Sequence, residues 1–169
     1  MKIYRYPPRA LSGDYLRAAT GVAVGGGVLL SVPESPAIIV IFGGLAGLFS
    51  FFGYRTVERH VTKMAVTDQE ICSSGFGSRV MAWSDLTKVK LRYYGTKRQD
   101  PTTGGFMQLT LKGGGTSVTC DSSMEGFDEV ARRAALAARD NGLALDDNSI
   151  GNLLALGFDV DREAPPPEA

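Results

Sequence analysis

Catalysis needs a nucleophile, an acid/base pair or a set of metal ligands, and the sparse candidates for such roles are Cys72, Cys120 and His60. The cysteines form no CxxC pair, and one histidine cannot complete a zinc site of the usual composition. Both thiols are expected to stay reduced in a cytoplasmic setting and to serve as small buried apolar residues, not as a redox pair. Gly75-Phe76-Gly77 and Gly113-Gly114-Gly115 do not stand between a strand and a helix as a phosphate loop must. No serine or aspartate falls in a hydrolase motif. The expectation is a chain that is not an enzyme and uses no cofactor or metal.

Anion binding is the other chemistry the residue types allow. Lys88, Lys90 and Arg92 alternate with Val89, Leu91 and Tyr93, which puts three cations on one strand face and three apolar side chains on the other. Lys97 and Arg98 follow, in a loop from Gly95 to Gly104. Together these five cations could meet anionic headgroups or phosphates. A solvated outer strand face is the plainer reading, since such alternation produces one routinely.

The elements that must hold these side chains differ sharply in composition along the 169 residues. Aliphatic residues and glycines concentrate between Leu16 and Tyr54, and nearly all charge lies outside that interval. The 18 basic and 18 acidic residues balance overall. Their distribution does not: 14 basic against 7 acidic up to Lys112, then 4 against 11. A basic front half suits an anionic cytoplasmic leaflet, leaving the acidic tail in solution.

The apolar interval reads as two membrane helices, over 15–32 and 37–54, parted by Pro33-Glu34-Ser35-Pro36. Each approaches the roughly 20 residues that cross about 30 Å of hydrocarbon. The second is the stronger, having no charge from Ala37 to Tyr54; the first carries Arg17 at its mouth, where the side chain can snorkel to the phosphates. Gly21 with Gly25, and Gly43 with Gly47, form small-xxx-small pairs suited to close helix packing.

Lys2, Arg5 and Arg9 precede the first run, Arg55, Arg59 and Lys63 follow the second, and the turn holds only Glu34. By the positive-inside rule both termini are cytoplasmic. A cleaved signal peptide is disfavoured because a second apolar run follows at once and no clear A-x-A site precedes it. A buried helix pair in a soluble core is disfavoured because neither run carries a polar stripe.

Beyond Arg55 short alternating segments bounded by turn residues predict strands at His60–Val66, Glu70–Ser74, Arg79–Trp83, around Val89 to Tyr93, around Phe106 to Leu111, and at Ser117–Cys120. Phe127, Val130, Ala131, Ala134 and Ala138 then fall on one face of a helix starting at Gly126 and stopped by Asn141-Gly142. Asp147 is the expected cap of a short accessory helix within 143–158, carrying Ile150, Leu153 and Leu154. The acidic, proline-rich stretch 159–169 is expected to be disordered. The organisation predicted is a segment 1–14, a hairpin 15–54, a β domain with its helix over 55–142, the accessory helix, and the tail.

Val66-Thr67-Asp68 at a first turn, Ala82-Trp83-Ser84-Asp85-Leu86 at a third strand and a closing amphipathic helix resemble the bacterial pleckstrin-homology-like domains. The resemblance covers most of residues 10–140, and the order of hairpin, small barrel and helix carries more of it than any single motif. It implies an α+β membrane protein: a transmembrane hairpin followed by a small antiparallel β-barrel or sheet closed by a C-terminal helix, in the bacterial inner membrane. The six strands counted fall one short of a full barrel of this type. Trp83 is expected to pack at the core or barrel end.

Three functions follow in order of expectation. The first is a membrane-held scaffold or accessory subunit, binding a protein partner or a second copy through a sheet edge or helix groove. The second is a module sensing anionic lipid through Lys88, Lys90, Arg92, Lys97 and Arg98, although likeness of fold does not confer lipid specificity. Catalysis comes last. Few basic residues and an acidic tail argue against a nucleic-acid partner.

Overall fold

A computed structural model describes residues 1–32, 35–95 and 105–159. They form two units, one of Tyr6–Thr62 and one of Met1–Arg5 with Lys63 onward.

The first unit is a pair of helices, α1 (Pro8–Ser31) and α2 (Pro36–Val61). Each has a proline in its first turn, where the missing N–H costs nothing. The pair is longer than the predicted 15–32 and 37–54, because polar residues at the charged ends, such as Asp14 and Arg59, continue the helical turns. At 1.5 Å per residue the uncharged part of α2 spans about 28 Å. Α2 is long and apolar enough to cross a membrane, and none of its apolar window is buried by the protein. Α1 does not reach that level of apolarity, its composition being diluted by glycine, threonine and serine.

The helices pack through Gly21 against Phe49, Gly25 against Ala46 and the Phe42 carbonyl, and Gly53 against Ala18. Contact positions that rise on one helix as they fall on the other make the pair antiparallel. The face of α2 that meets α1 is therefore Phe42, Ala46, Phe49 and Gly53. Gly43 and Gly47 are not in it: a Cβ at either would meet nothing within 4 Å. Spacing of small residues marks a smooth stripe but does not say which way it turns, and here the stripe is rotated off the helix contact.

The second unit opens with a strand inside the 1–14 segment, where the sequence predicts none. Strand β1 (Lys2–Arg5) pairs antiparallel with β2 (Lys63–Val66), Lys2 opposite Val66 and Arg5 opposite Lys63. The helix pair is thus inserted between two neighbouring strands. Strand β2 begins at Lys63, not His60, since α2 runs on to Val61.

Strands β3 (Glu70–Ser74) and β4 (Ser78–Ala82) complete a four-stranded sheet in sequential order. A 3-10 turn at Trp83–Asp85 then ends β4 one residue before the predicted limit. Strands β5 (Leu86–Tyr94), β6 (Phe106–Gly113) and β7 (Thr116–Asp121) make a three-stranded sheet. Gly114 and Gly115, at φ +53° and +72°, form the two-residue turn between β6 and β7, a geometry that favours glycine.

The two sheets do not close into a barrel among the described residues. Where β4 comes near β7, the Arg79 guanidinium donates to the Ser117 carbonyl at 3.4 Å, in place of a main-chain ladder. Met64, Ile71, Leu91, Leu109, Leu111 and Val118 fill the core. Helix α3 (Phe127–Asp140) buries Phe127, Val130, Ala131, Ala134 and Ala138, and helix α4 (Asp147–Ala155) follows it.

Candidate interaction edge

Register places the predicted cations precisely enough to separate their roles. On the outer face of the three-stranded sheet, Lys88 lies opposite Lys112, Lys90 opposite Thr110, and Arg92 opposite Gln108. Strand β7 extends these rows with Ser117, Thr119 and Asp121. Lys88 and Lys112 are exposed and directly paired across two strands, an arrangement of like charges that is mildly unfavourable without an anion. Lys112 was missed in the sequence because its membership of this face depends on the β5–β6 register. Lys97 and Arg98 lie outside the described residues.

Arg92 is engaged differently. Its guanidinium donates twice to the Asp146 carboxylate, at 2.7 and 2.8 Å, in a bidentate pair. Asp146, not Asp147, caps α4, since its side chain accepts from the Ser149 amide at 2.9 Å. The Arg92 guanidinium, helped by that amide, holds the Asp146 carboxyl well below the usual carboxylate range.

Strand β5 is an edge of its sheet, and α4 lies along it. The Leu91 amide donates to Ser149 Oγ at 3.0 Å, and Asn152 Nδ2 donates to the Leu91 carbonyl at 2.8 Å. Both polar side chains are buried, Ser149 fully and Asn152 at 6% exposure. At the start of the same edge, Asn141 Nδ2 donates to the carbonyls of Leu86 at 3.2 Å and Trp83 at 2.7 Å. Side chains of α3's end and of α4 therefore occupy an edge that another strand would ordinarily take. A helical pattern of Ile150, Leu153 and Leu154 signalled the helix; nothing in it signalled that Ser149 and Asn152 would face inward.

On its far side α4 leaves Ile150 and Leu154 41% and 53% exposed. With Leu143, Leu145, Phe158 and Arg139 they line a shallow groove of about 450 Å³.

Trp83 is 4% exposed. Its indole N–H donates to the Thr67 carbonyl at 3.0 Å and the Arg133 guanidinium lies over its ring at 5.1 Å. These contacts are those of a packing residue. Cys120 is buried, and burial raises its thiol pKa; Cys72 is partly exposed, and both are free thiols. His60 has a partner that the sequence did not reveal, with Nδ1 2.9 Å from the Tyr15 hydroxyl. Nearby in the same helix pair, Asp14 meets Arg17 at 3.1 Å and Arg59 at 3.7 Å. Among the described residues no group of three or more His, Cys, Asp or Glu side chains is placed to hold a metal.

No family model, no curated protein and no solved structure matches the chain. The class that can be stated is an α+β chain: two N-terminal helices, one of them strongly apolar, then two antiparallel sheets. Its function must be argued from its own geometry.

Proposed function

We infer that the protein is a non-enzymatic, membrane-anchored platform, its helix pair inserted as a hairpin and its β unit engaging another protein at the cytoplasmic face of a bacterial inner membrane. The observation that carries this reading is α2, whose uncharged run from Ala37 to Tyr54 turns its apolar side chains outward instead of burying them. The pairing of β1 with β2 supports a hairpin over a single span, because the chain returns to the strand beside the one it left. Charges gather at the ends of the helices that join the β unit, with Arg17 at the mouth of the first apolar run and Arg55 and Arg59 beyond the second. The uncharged part of α1 is the shorter, and Arg17 would reach the headgroup layer by snorkelling.

The test is fractionation followed by protease protection. The full chain should sediment with membranes through alkaline carbonate washing and need detergent for release. In sealed inverted vesicles, added protease should remove the β unit and spare the helices. Recovery of the chain in the high-speed supernatant would overturn the anchoring.

A second reading, binding of anionic lipid by the β unit, is favoured by the Lys88–Lys112 pair, which has no acidic partner on its row. It predicts salt-sensitive binding to vesicles containing phosphatidylglycerol, lost in a Lys88→Glu, Lys112→Glu double variant.

A further inference from the structure

The platform reading leaves the partner's chemistry open, and the covered edge of β5 supplies it. Both main-chain groups of Leu91 point away from β6 and into α4. Antiparallel geometry gives the same outward direction to those of Val89 and Tyr93, two residues to either side. Helix α4 satisfies Leu91 by side chains: a hydroxyl accepts from its N–H and a carboxamide donates to its C=O. A strand laid along this edge would offer a carbonyl and an amide in the same two places, so it could replace Ser149 and Asn152 bond for bond. The helix itself is short, nine residues, and of its apolar side chains only Leu153 is fully buried.

Charge decides what kind of strand fits. Side chains flanking the edge on the outer face are Lys88, Lys90 and Arg92, and on the inner face Val89, Leu91 and Tyr93. A second copy's β5 would bring cations beside cations, which is unfavourable across a strand pair. Helix α4 instead brings an acid, Asp146, to Arg92. An incoming segment would need acidic side chains on one face and apolar ones on the other.

We propose that the β5 edge is the docking site for an extended partner segment of alternating acidic and apolar residues, and that α4 is its built-in competitor, with Asp146, Ser149 and Asn152 imitating the segment's acid, carbonyl and amide. Displacing α4 frees Arg92 and the Leu91 main chain together, so partner binding and helix release are one event. The inference rests on the platform reading for its setting but not on membrane insertion, which the fractionation above tests separately.

The measurement uses the full chain in a neutral detergent and, as probe, a capped nine-residue peptide alternating valine and glutamate. Ser149→Ala with Asn152→Ala weakens the competitor and should tighten peptide binding about tenfold or more, as expected from losing two hydrogen bonds. Asp146→Asn, which keeps the cap and removes the charge, is the milder second variant and should tighten it several-fold. Bound peptide should slow hydrogen exchange at the Leu91 amide in both variants, and Lys88→Glu with Lys90→Glu should abolish binding. A peptide methylated on alternate amide nitrogens should not bind. Equal affinity for the variants and the unmodified chain, or binding that leaves Leu91 unprotected, would overturn the proposal. So would vesicles of phosphatidylglycerol binding through Lys88 and Lys90 while the peptide does not, an outcome that assigns these cations to lipid.

Discussion

Asn152 donates from Nδ2 to the carbonyl of Leu91 at 2.8 Å, joining a helix near the end of the described chain to the side of an edge strand that no other strand pairs. Neither residue is accessible: Leu91 is fully buried and Asn152 nearly so. Asn152→Ala strands that carbonyl away from water, and the expected cost is about 1–3 kcal/mol of stability. Denaturant unfolding of the full chain in detergent measures it. Faster exchange confined to β5 and α4 should accompany the loss.

Glycines in the helix pair should divide sharply by face. Gly25→Val forces a branched side chain against Ala46 and the Phe42 carbonyl, an overpacking expected to cost about 1–3 kcal/mol. Gly43→Ala and Gly47→Ala, with open space beside them, should leave the thermal stability of the monomer in detergent within about 0.5 kcal/mol of the parent. A large effect at Gly43 would mean that the two helices pack on a different face.

Gly126 precedes α3 at φ +67°, with the Tyr4 ring where a Cβ would stand. Gly126→Ala combines a left-handed strain of about 1 kcal/mol with a clash that must push β1 aside. Gly142→Ala shares the positive φ, +65°, but has open space around it. The first substitution should destabilise more than the second in parallel thermal melts. It should also disturb the Tyr4 hydroxyl, which donates to Glu129 at 2.6 Å and whose pKa burial, with help from that carboxylate, pushes up to about 12.

Acid should release α4 late. The Asp146 pKa is depressed in the folded chain, so its contribution is present above the ordinary carboxylate value of about 3.9 and fades as pH falls through the lower folded value. The stability difference between the parent and Asp146→Asn should therefore be flat from pH 8 to about pH 5 and shrink below about pH 4. Thermal melts across that range check the sign. A difference that vanished near pH 6 would show that the Arg92 pair does not hold the carboxylate.

What could be read from the residue order followed the range over which each signal acts. Strand β3 and helix α3 were legible from Glu70–Ser74 and from the Phe127, Val130, Ala134 repeat, because alternation and helical spacing are local. Strand β1 was not, since Lys-Ile-Tyr-Arg gains its identity only from Lys63–Val66 on the far side of the helix pair. For the same reason Lys112 was invisible as a neighbour of Lys88, and Arg92, equivalent to Lys90 in the pattern, turned out to be held by Asp146. The β5 edge needed both kinds of knowledge: which strand ends the sheet, and which face of a nine-residue helix turns toward it.

The bracketing of the helix pair by β1 and β2 also bears on biosynthesis. Lys2–Arg5 is made before its partner strand and cannot pair along β2 until the chain through Val66 has been made. Without that late pairing Met64 would lack its cross-strand neighbour Tyr4, and Glu129 would lack Lys2 and Tyr4. The four residues of β1 thus complete the sheet only after the whole helix pair between them and β2 has been made.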